Sequence, residues 1–342
     1  MNTIQKQIVE PLRASGQLDG GYHVNLAGTA DKLRDTAPDL PMGIYSAGLK
    51  RRDLGYAVTL AGIQSVYEKA CDVGAVDLVI VDEAHLIAPD GEGMYRTLLA
   101  DLKVINPRVR VIGLTATPFR LKSGMICAPD HVLNHICYEI SVRELIVQGY
   151  LCPLRTKAGT LKPDTDRLHV RAGEYVAGEV EQLMDEDNLV LGACREIVEY
   201  TRDRKSVLIF ASGVKHGEHI ARVLKERHGV ECGFVCGESL PFERDATLKR
   251  FRSGDLKYLC NVNVLTTGFD APNIDCVAML RPTLSPGLWY QCVGRGFRLH
   301  PEKADCLVLD FGGNIMRHGP VDQLRVSGAQ TRAPGEPPAK EC

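Results

Sequence analysis

Two adjacent carboxylates close an apolar run in Leu78-Val79-Ile80-Val81-Asp82-Glu83-Ala84-His85. An Asp delivered to the carboxyl end of a strand lies at the edge where open α/β sheets bind ligands. There it can hold the Mg²⁺ of a nucleoside triphosphate, directly or through water. The neighbouring Glu can orient the attacking water and take its proton. The plain alternative is a strand followed by a charged turn. Four specified residues at the end of a β-branched run make that the poorer reading.

A second strand-end cluster, Gly113-Leu114-Thr115-Ala116-Thr117-Pro118, brings Thr115 33 positions after Asp82. Alone it reads as a common turn; after the carboxylate pair, Thr115 and Thr117 become candidates to link that site to a facing domain. In the second half, Thr266-Thr267-Gly268-Phe269-Asp270 follows an apolar run and offers hydroxyls and a close-approach glycine to a phosphate. Next comes Gln291-Cys292-Val293-Gly294-Arg295-Gly296-Phe297-Arg298, with two arginines three apart on a helical turn. A planar guanidinium stabilises charge on a transferring phosphoryl group. The plain alternative is a solvated surface pair, but surface helices seldom carry two glycines so close together.

Positioning these groups requires parallel strands joined by crossover helices. The strand candidates are 57–64, 78–82 and 109–115 in the first half. In the second they are 207–211, 230–235, 258–264, 276–281 and 306–310. Helical patterns cover 94–104, 214–228 and 242–252, the second ending at Gly229, a natural helix stop. The stretch 151–188, with Pro153, Pro163 and weak periodicity, reads as a connection between domains 1–150 and 189–325. The Pro- and Gly-rich residues 326–342 read as a disordered tail.

Bulk composition narrows the class without choosing a function. The 342 residues suffice for two domains, and 44% hydrophobic with 25% charged residues is ordinary globular composition. No apolar run approaches the ~20 residues that span a bilayer, and 1–12 has no secretory pattern, so a cytoplasmic protein without membrane attachment is expected. Twelve scattered cysteines, several inside strand-like runs (Cys260, Cys276, Cys306), read as small hydrophobes rather than a disulfide framework. A net charge of −2 neither invites nor forbids nucleic acid.

In this order, Asp-Glu-Ala-His, Thr-Ala-Thr, Thr-Thr-Gly-Phe-Asp and Gln-x-x-Gly-Arg-x-x-Arg resemble motifs II, III, V and VI of superfamily-2 DEAH-box helicases. The match runs from about Ile44 to Val321. Ile44–Asp53, Ala61–Val66, Asn261–Leu265 and Leu307–Asn314 look most like the RadD-type branch of bacterial and phage DNA-repair helicases. The resemblance implies two RecA-like domains with parallel sheets facing across a cleft, acting as an ATP-dependent DNA helicase or translocase. It implies ATP and Mg²⁺ as cofactors, with Asp82 and Glu83 at the metal and the water. His85, Thr115, Thr117 and Gln291 would couple nucleotide state to the cleft, and Arg295 and Arg298 would be the finger pair. Gly268 and Asp270 would touch nucleotide. Gln64, Ser65, Phe210, Ser212, Thr266 and Thr267 would touch nucleic acid. Single-stranded or forked DNA and repair or replication proteins are the implied partners of a monomer.

The family's phosphate loop, Gly-x-x-x-x-Gly-Lys-Ser/Thr, has no counterpart here: no Gly-Lys dipeptide occurs in the chain. The first domain is therefore expected to be incomplete at its amino end. A second reading follows, an ATPase-deficient nucleic-acid-binding remnant or a fragment of such a helicase. A restriction-system motor shares the motifs but brings a nuclease domain that this sequence lacks. RadD-like proteins continue into a zinc-ribbon-like region, which makes Cys342 a candidate first zinc ligand. Cys127, His131, His135 and Cys137 offer zinc-compatible side chains without a Cys-x-x-Cys pair, a weaker metal candidate.

Overall fold

The computed structural model describes residues 26–88, 91, 93–120, 124–171, 173–266 and 269–321. The chain divides into two compact units, 1–139 and 140–342. The expected nucleic-acid contact Thr267, the expected nucleotide contact Gly268 and the candidate zinc ligand Cys342 lie outside the described residues. No described helix is long and apolar enough to cross a membrane.

In the first unit, α1 (Leu26–Thr36) precedes a three-stranded sheet of β1 (Met42–Ser46), β2 (Arg51–Arg52) and β3 (Val58–Ala61), ordered β2-β1-β3. The short helices α2 (Ile63–Val66) and α3 (Ala70–Val73) follow, then β4 (Leu78–Asp82), α4 (Met94–Ile105) and β5 (Arg110–Leu114). The strand expected over 57–64 stops at Ala61. Gly62 is extended and starts α2, so Gln64 and Ser65 sit on a helix turn. β4 and β5 pair in parallel with Asp82 opposite Leu114. Helix α4 buries Leu98, Leu99 and Leu102, a stripe at helical spacing. A small antiparallel pair, β6 (Phe119–Arg120) with β7 (Gly124–Met125), closes the element list of this unit.

The second unit is a six-stranded, all-parallel sheet. After α5 (Val142–Val147) come β8 (Leu154–Ala158), the two-residue strands β9 (Val170–Arg171) and β10 (Glu174–Tyr175), α6 (Ala177–Met184) and α7 (Asp187–Tyr200). Then follow β11 (Val207–Ala211), α8 (Val214–His228), β12 (Cys232–Val235), α9 (Pro241–Ser253) and β13 (Tyr258–Asn261). The unit ends with β14 (Cys276–Leu280), α10 (Pro286–Gly294), β15 (Cys306–Asp310) and α11 (Asn314–His318). The order is β12-β13-β11-β14-β15-β8. Successive side chains of these strands enter opposite faces. Leu208, Phe210, Val277 and Met279 meet α5, α9 and α10, whereas Val207, Ile209, Cys276 and Ala278 meet α6, α7 and α8.

The stretch expected as a connection is different in kind. β8 lies parallel to β15, with Arg155 opposite Leu307, and the Glu196 carboxylate on α7 accepts from the Thr160 amide. Its sequence, Leu-Arg-Thr-Lys-Ala, is that of an exposed edge strand and has no apolar run to betray it. Helix α5 opens with a capping box between Ser141 and Glu144, and Val142 belongs to the second unit's core.

The cysteines behave as hydrophobes. Burial pushes the thiols of Cys194, Cys292 and Cys306 up to about 12, and those of Cys260 and Cys276 well above the ordinary range. Thiols held this far from ionisation are unreactive.

Candidate active site

The carboxylate site is assembled by β4, β5 and the turn after each. Asp82 ends β4, and its Oδ1 accepts from the Glu83 amide at 2.8 Å. Glu83 adopts a left-handed conformation (φ 49°, ψ 49°) and is buried. For a non-glycine residue this costs on the order of 1–3 kcal/mol, and such outliers cluster at functional positions. The turn aims Glu83 toward His85: Glu83 Oε2 lies 3.0 Å from His85 Nδ1. The same nitrogen lies 3.1 Å from Thr115 Oγ1 beyond β5, and Thr115 Oγ1 accepts from the Thr117 amide at 3.0 Å. His85 Nδ1 thus stands within hydrogen-bonding reach of a carboxylate oxygen and a hydroxyl oxygen at once.

Close strand packing makes this possible. A Cβ on Gly113 would come within 2.7 Å of Ala84 Cβ and 2.6 Å of Leu133 Cδ1. Glycine at 113 and alanine at 84 let the two strand ends approach.

The arginine site lies in the second unit, where α10 runs out. Arg295 is buried, donating from Nε to the Gln291 carbonyl at 3.3 Å and from a terminal nitrogen to the Phe269 carbonyl at 3.0 Å. Arg298 donates to the same carbonyl at 3.3 Å and is ion-paired with Asp270. From the far side, Arg252 Nε donates to the Asp270 carbonyl at 2.9 Å, and its guanidinium stacks over the Phe269 ring. Three arginines thus converge on two residues. Of the expected finger pair, Arg295 is buried while Arg298 keeps partial exposure. Gly296 is dictated by packing, since a Cβ there would sit 2.3 Å from Cys306 Sγ.

Other candidates divide. Gln64 is exposed, while Ser65 Oγ accepts from the Ala47 amide and so shapes the β1–β2 turn. Thr266 is half-buried. Phe210 belongs to the core, 2% exposed, and offers no surface to nucleic acid. Ser212 is also buried, its hydroxyl donating to the Leu280 carbonyl at 2.8 Å. Both sit on the fully buried central strand or at its end, which a linear motif does not disclose. Among the described residues no group of three or more His, Cys, Asp or Glu side chains is arranged for a metal ion. His131, from the Cys/His cluster, faces the Ile126 carbonyl at 3.2 Å.

Asn261 opens one of the stretches that carry the resemblance, though no site role was expected of it. Fully buried at the end of β13, it donates to the Ile209 carbonyl and accepts from the Leu265 amide, fixing the loop that leads to Thr266. Asp310, inside another of those stretches, likewise had no expected site role. That carboxylate accepts from the Gly312 and Ile315 amides and from Asn314, while burial raises its pKa against those bonds. An acid or amide closing an apolar strand was the available signal for both.

Parallel α/β units of this kind define the RecA-like fold class. Residues 190–300 match the helicase conserved C-terminal domain. The chain is 28% identical over 291 residues to a Saccharomyces cerevisiae protein named ATP-dependent helicase IRC3, covering 82% of this chain and 41% of that protein. Its fold is similar to a fragment of an HsdR subunit of a type I restriction enzyme from Vibrio vulnificus YJ016. There the TM-score is 0.61, with 21% identity over 84% of this chain and 53% of that one. It is also similar to S. cerevisiae Dbp5 bound to RNA and ADP BeF3, with a TM-score of 0.52, 18% identity, and 87% and 69% covered. Residues 190–300 carry the helicase C-terminal domain, the chain as a whole is similar to superfamily-2 helicases, and it spans about two fifths of the IRC3 relative.

Proposed function

We propose that the chain is the motor core of an ATP-driven DNA helicase or translocase of the RadD-like repair type. The observation that carries this is the chain of contacts from Glu83 through His85 to Thr115 beside Asp82. A buried acid, a ring nitrogen and a hydroxyl in sequence relay the state of a bound phosphate to the polypeptide. Hard carboxylate oxygens at a strand end suit Mg²⁺ of a nucleotide, so Asp82 would hold the metal, which would neutralise phosphate charge. Glu83 would hold the attacking water. Arg295 and Arg298 would face the transferred phosphoryl group, with Gly268 and Asp270 toward the nucleotide.

Nucleic acid would run over the exposed ends of the two units, meeting Gln64 on α2 and Thr266 after β13. Single-stranded or forked DNA is the proposed substrate, and the working form a cytoplasmic monomer serving repair or replication. Such motors grip the backbone, so binding should weaken steeply with salt. Filter binding with single-stranded DNA, forked DNA and RNA across a salt series tests this. Retention at low salt with preference for DNA is expected, and no retention of any of the three would overturn it.

One observation favours a second reading. No phosphate-loop sequence is present among the 342 residues. A chain that binds nucleic acid but turns over ATP only at background fits that observation, and phosphate release with and without DNA separates the readings.

A further inference from the structure

The arginine pair sits just past the end of α10, where helix geometry leaves carbonyls without partners. The amides of Arg295, Gly296 and Phe297 still bond back to Cys292, Val293 and Gly294. The carbonyls of Gly296, Phe297 and Arg298 must find donors elsewhere, because buried backbone oxygens are rarely left unpaired. All three have them. The Cys152 amide donates to Phe297 at 2.7 Å. The Lys303 ammonium donates to both others, at 2.6 Å to Gly296 and 2.9 Å to Arg298.

Lys303 is delivered there by a loop pinned on either side. Lys205, just before β11, pairs with Glu302 at 2.9 Å, and Arg204 pairs with Asp305 at 2.6 Å. The Lys303 amide closes a turn onto the His300 carbonyl. Burial lowers the pKa of the ammonium, a cost accepted for two charge-assisted bonds to backbone. No acidic side chain is bonded to this ammonium among the described contacts, so it does not serve as an ion-pair partner.

We propose that Lys303 is a positioning residue for the arginine pair. By bridging the carbonyls on both sides of Phe297, it fixes the turn that sets both guanidinia on the Phe269 carbonyl. The proposal rests on the reading that these arginines serve the transferred phosphate, yet its test does not use ATP.

In the wild-type chain labelled with ¹⁵N-lysine, an ammonium held by two carbonyls exchanges slowly with water and gives a visible signal at neutral pH. Assigned by its loss in Lys303→Met, that signal is expected, and its absence overturns the proposal. With ¹⁵N-arginine, the guanidinium signals of Arg295 and Arg298 are expected to be protected in the wild type. In Lys303→Met they should exchange at least tenfold faster, while the indole signal of buried Trp289, on α10 itself, stays in place as the folding control. Lys303→Arg, which retains donors, should keep protection within about twofold. A purely structural role would lower the melting temperature of Lys303→Met and leave arginine protection unchanged in the folded state; that result also overturns the proposal. A chain with no ATPase activity leaves each readout intact, so failure of the motor reading and failure of this one are told apart.

Discussion

Strands β4 and β11 are both five residues long and almost wholly apolar, yet they are buried very differently. Every position of β11 is buried, as is every position of its neighbour β14. In β4 only Val81 is buried, and Ile80 is 37% exposed. Parallel strands are normally covered on both faces. β11 lies between β13 and β14 with a helical layer on each side, whereas β4 has β5 as its one strand partner among the described residues. An apolar run specifies a strand; its neighbours decide its depth. Arg295 is therefore set in a deep core with Arg298 partly exposed beside it, while the carboxylates depend on local devices: the Gly113–Ala84 approach, the left-handed Glu83 and the His85–Thr115 contact.

The largest effect should come from giving β4 a new neighbour. A strand, a Gly-x-x-x-x-Gly-Lys-Ser loop and a helix placed ahead of Leu26 should slow amide exchange along β4. It should also raise DNA-stimulated phosphate release by on the order of 10³-fold, since positioning supplies up to ~7–11 kcal/mol of a barrier and arginine contacts act only on a positioned nucleotide. Glu83→Gln should then return the rate to background. Robust turnover of the 342-residue chain without that addition, abolished by Glu83→Gln, would show that a phosphate-binding element within Leu18–Lys32 had been overlooked.

A second test truncates matched side chains. Ile209→Ala removes a fully buried side chain from β11 and should destabilise the second unit by about 2–5 kcal/mol. Ile80→Ala, on β4, should cost under about 1 kcal/mol because much of that side chain already meets water. Urea unfolding followed by Trp289, the one tryptophan in the chain, reads the first. Hydrogen exchange along β4 reads the second. Equal costs would dissolve the contrast between the units.

Legibility in the sequence followed the same division. β4, β11 and β15 fall where their apolar runs begin and end, and α8 stops at Gly229, left-handed at φ 66°. The motif residues Glu83, His85 and Thr115 meet in space, and Arg295 and Arg298 share one carbonyl just past the end of α10. Polar edge strand β8 was illegible because pairing with β15, not its own pattern, makes it a strand. Phe210 was misplaced because a motif gives proximity to a surface but not the side of the sheet that a residue faces. Lys303 was hidden among surface charges, since its partners are backbone carbonyls with no sequence signature.

The smallest effect concerns acid. On α8, His216 is fully buried, and its Nδ1 accepts from the Ser212 amide at 3.2 Å. Burial lowers its pKa from 6.5 to about 4; Asp185 opposes that shift and His219 adds to it. The folded-state value is depressed, so the neutral ring's contribution to stability is whole above the unfolded pKa near 6.5 and shrinks as pH falls toward 4. Between pH 7 and pH 5 the loss is about 2 kcal/mol at most, from 1.36 kcal/mol per unit of differential protonation. His219, 2.8 Å from Asp185 and 3.7 Å from Asp187, joins α8 to the neighbouring helices. Acid should therefore narrow the stability gap between the units by weakening the stronger one. Urea midpoints from Trp289 fluorescence at pH 7, 6 and 5 should fall in the wild type. In His216→Gln, whose amide oxygen can accept the Ser212 amide without titrating, they should fall less, at a lower starting stability. A parallel decline in both proteins would place the acid sensitivity elsewhere in the second unit.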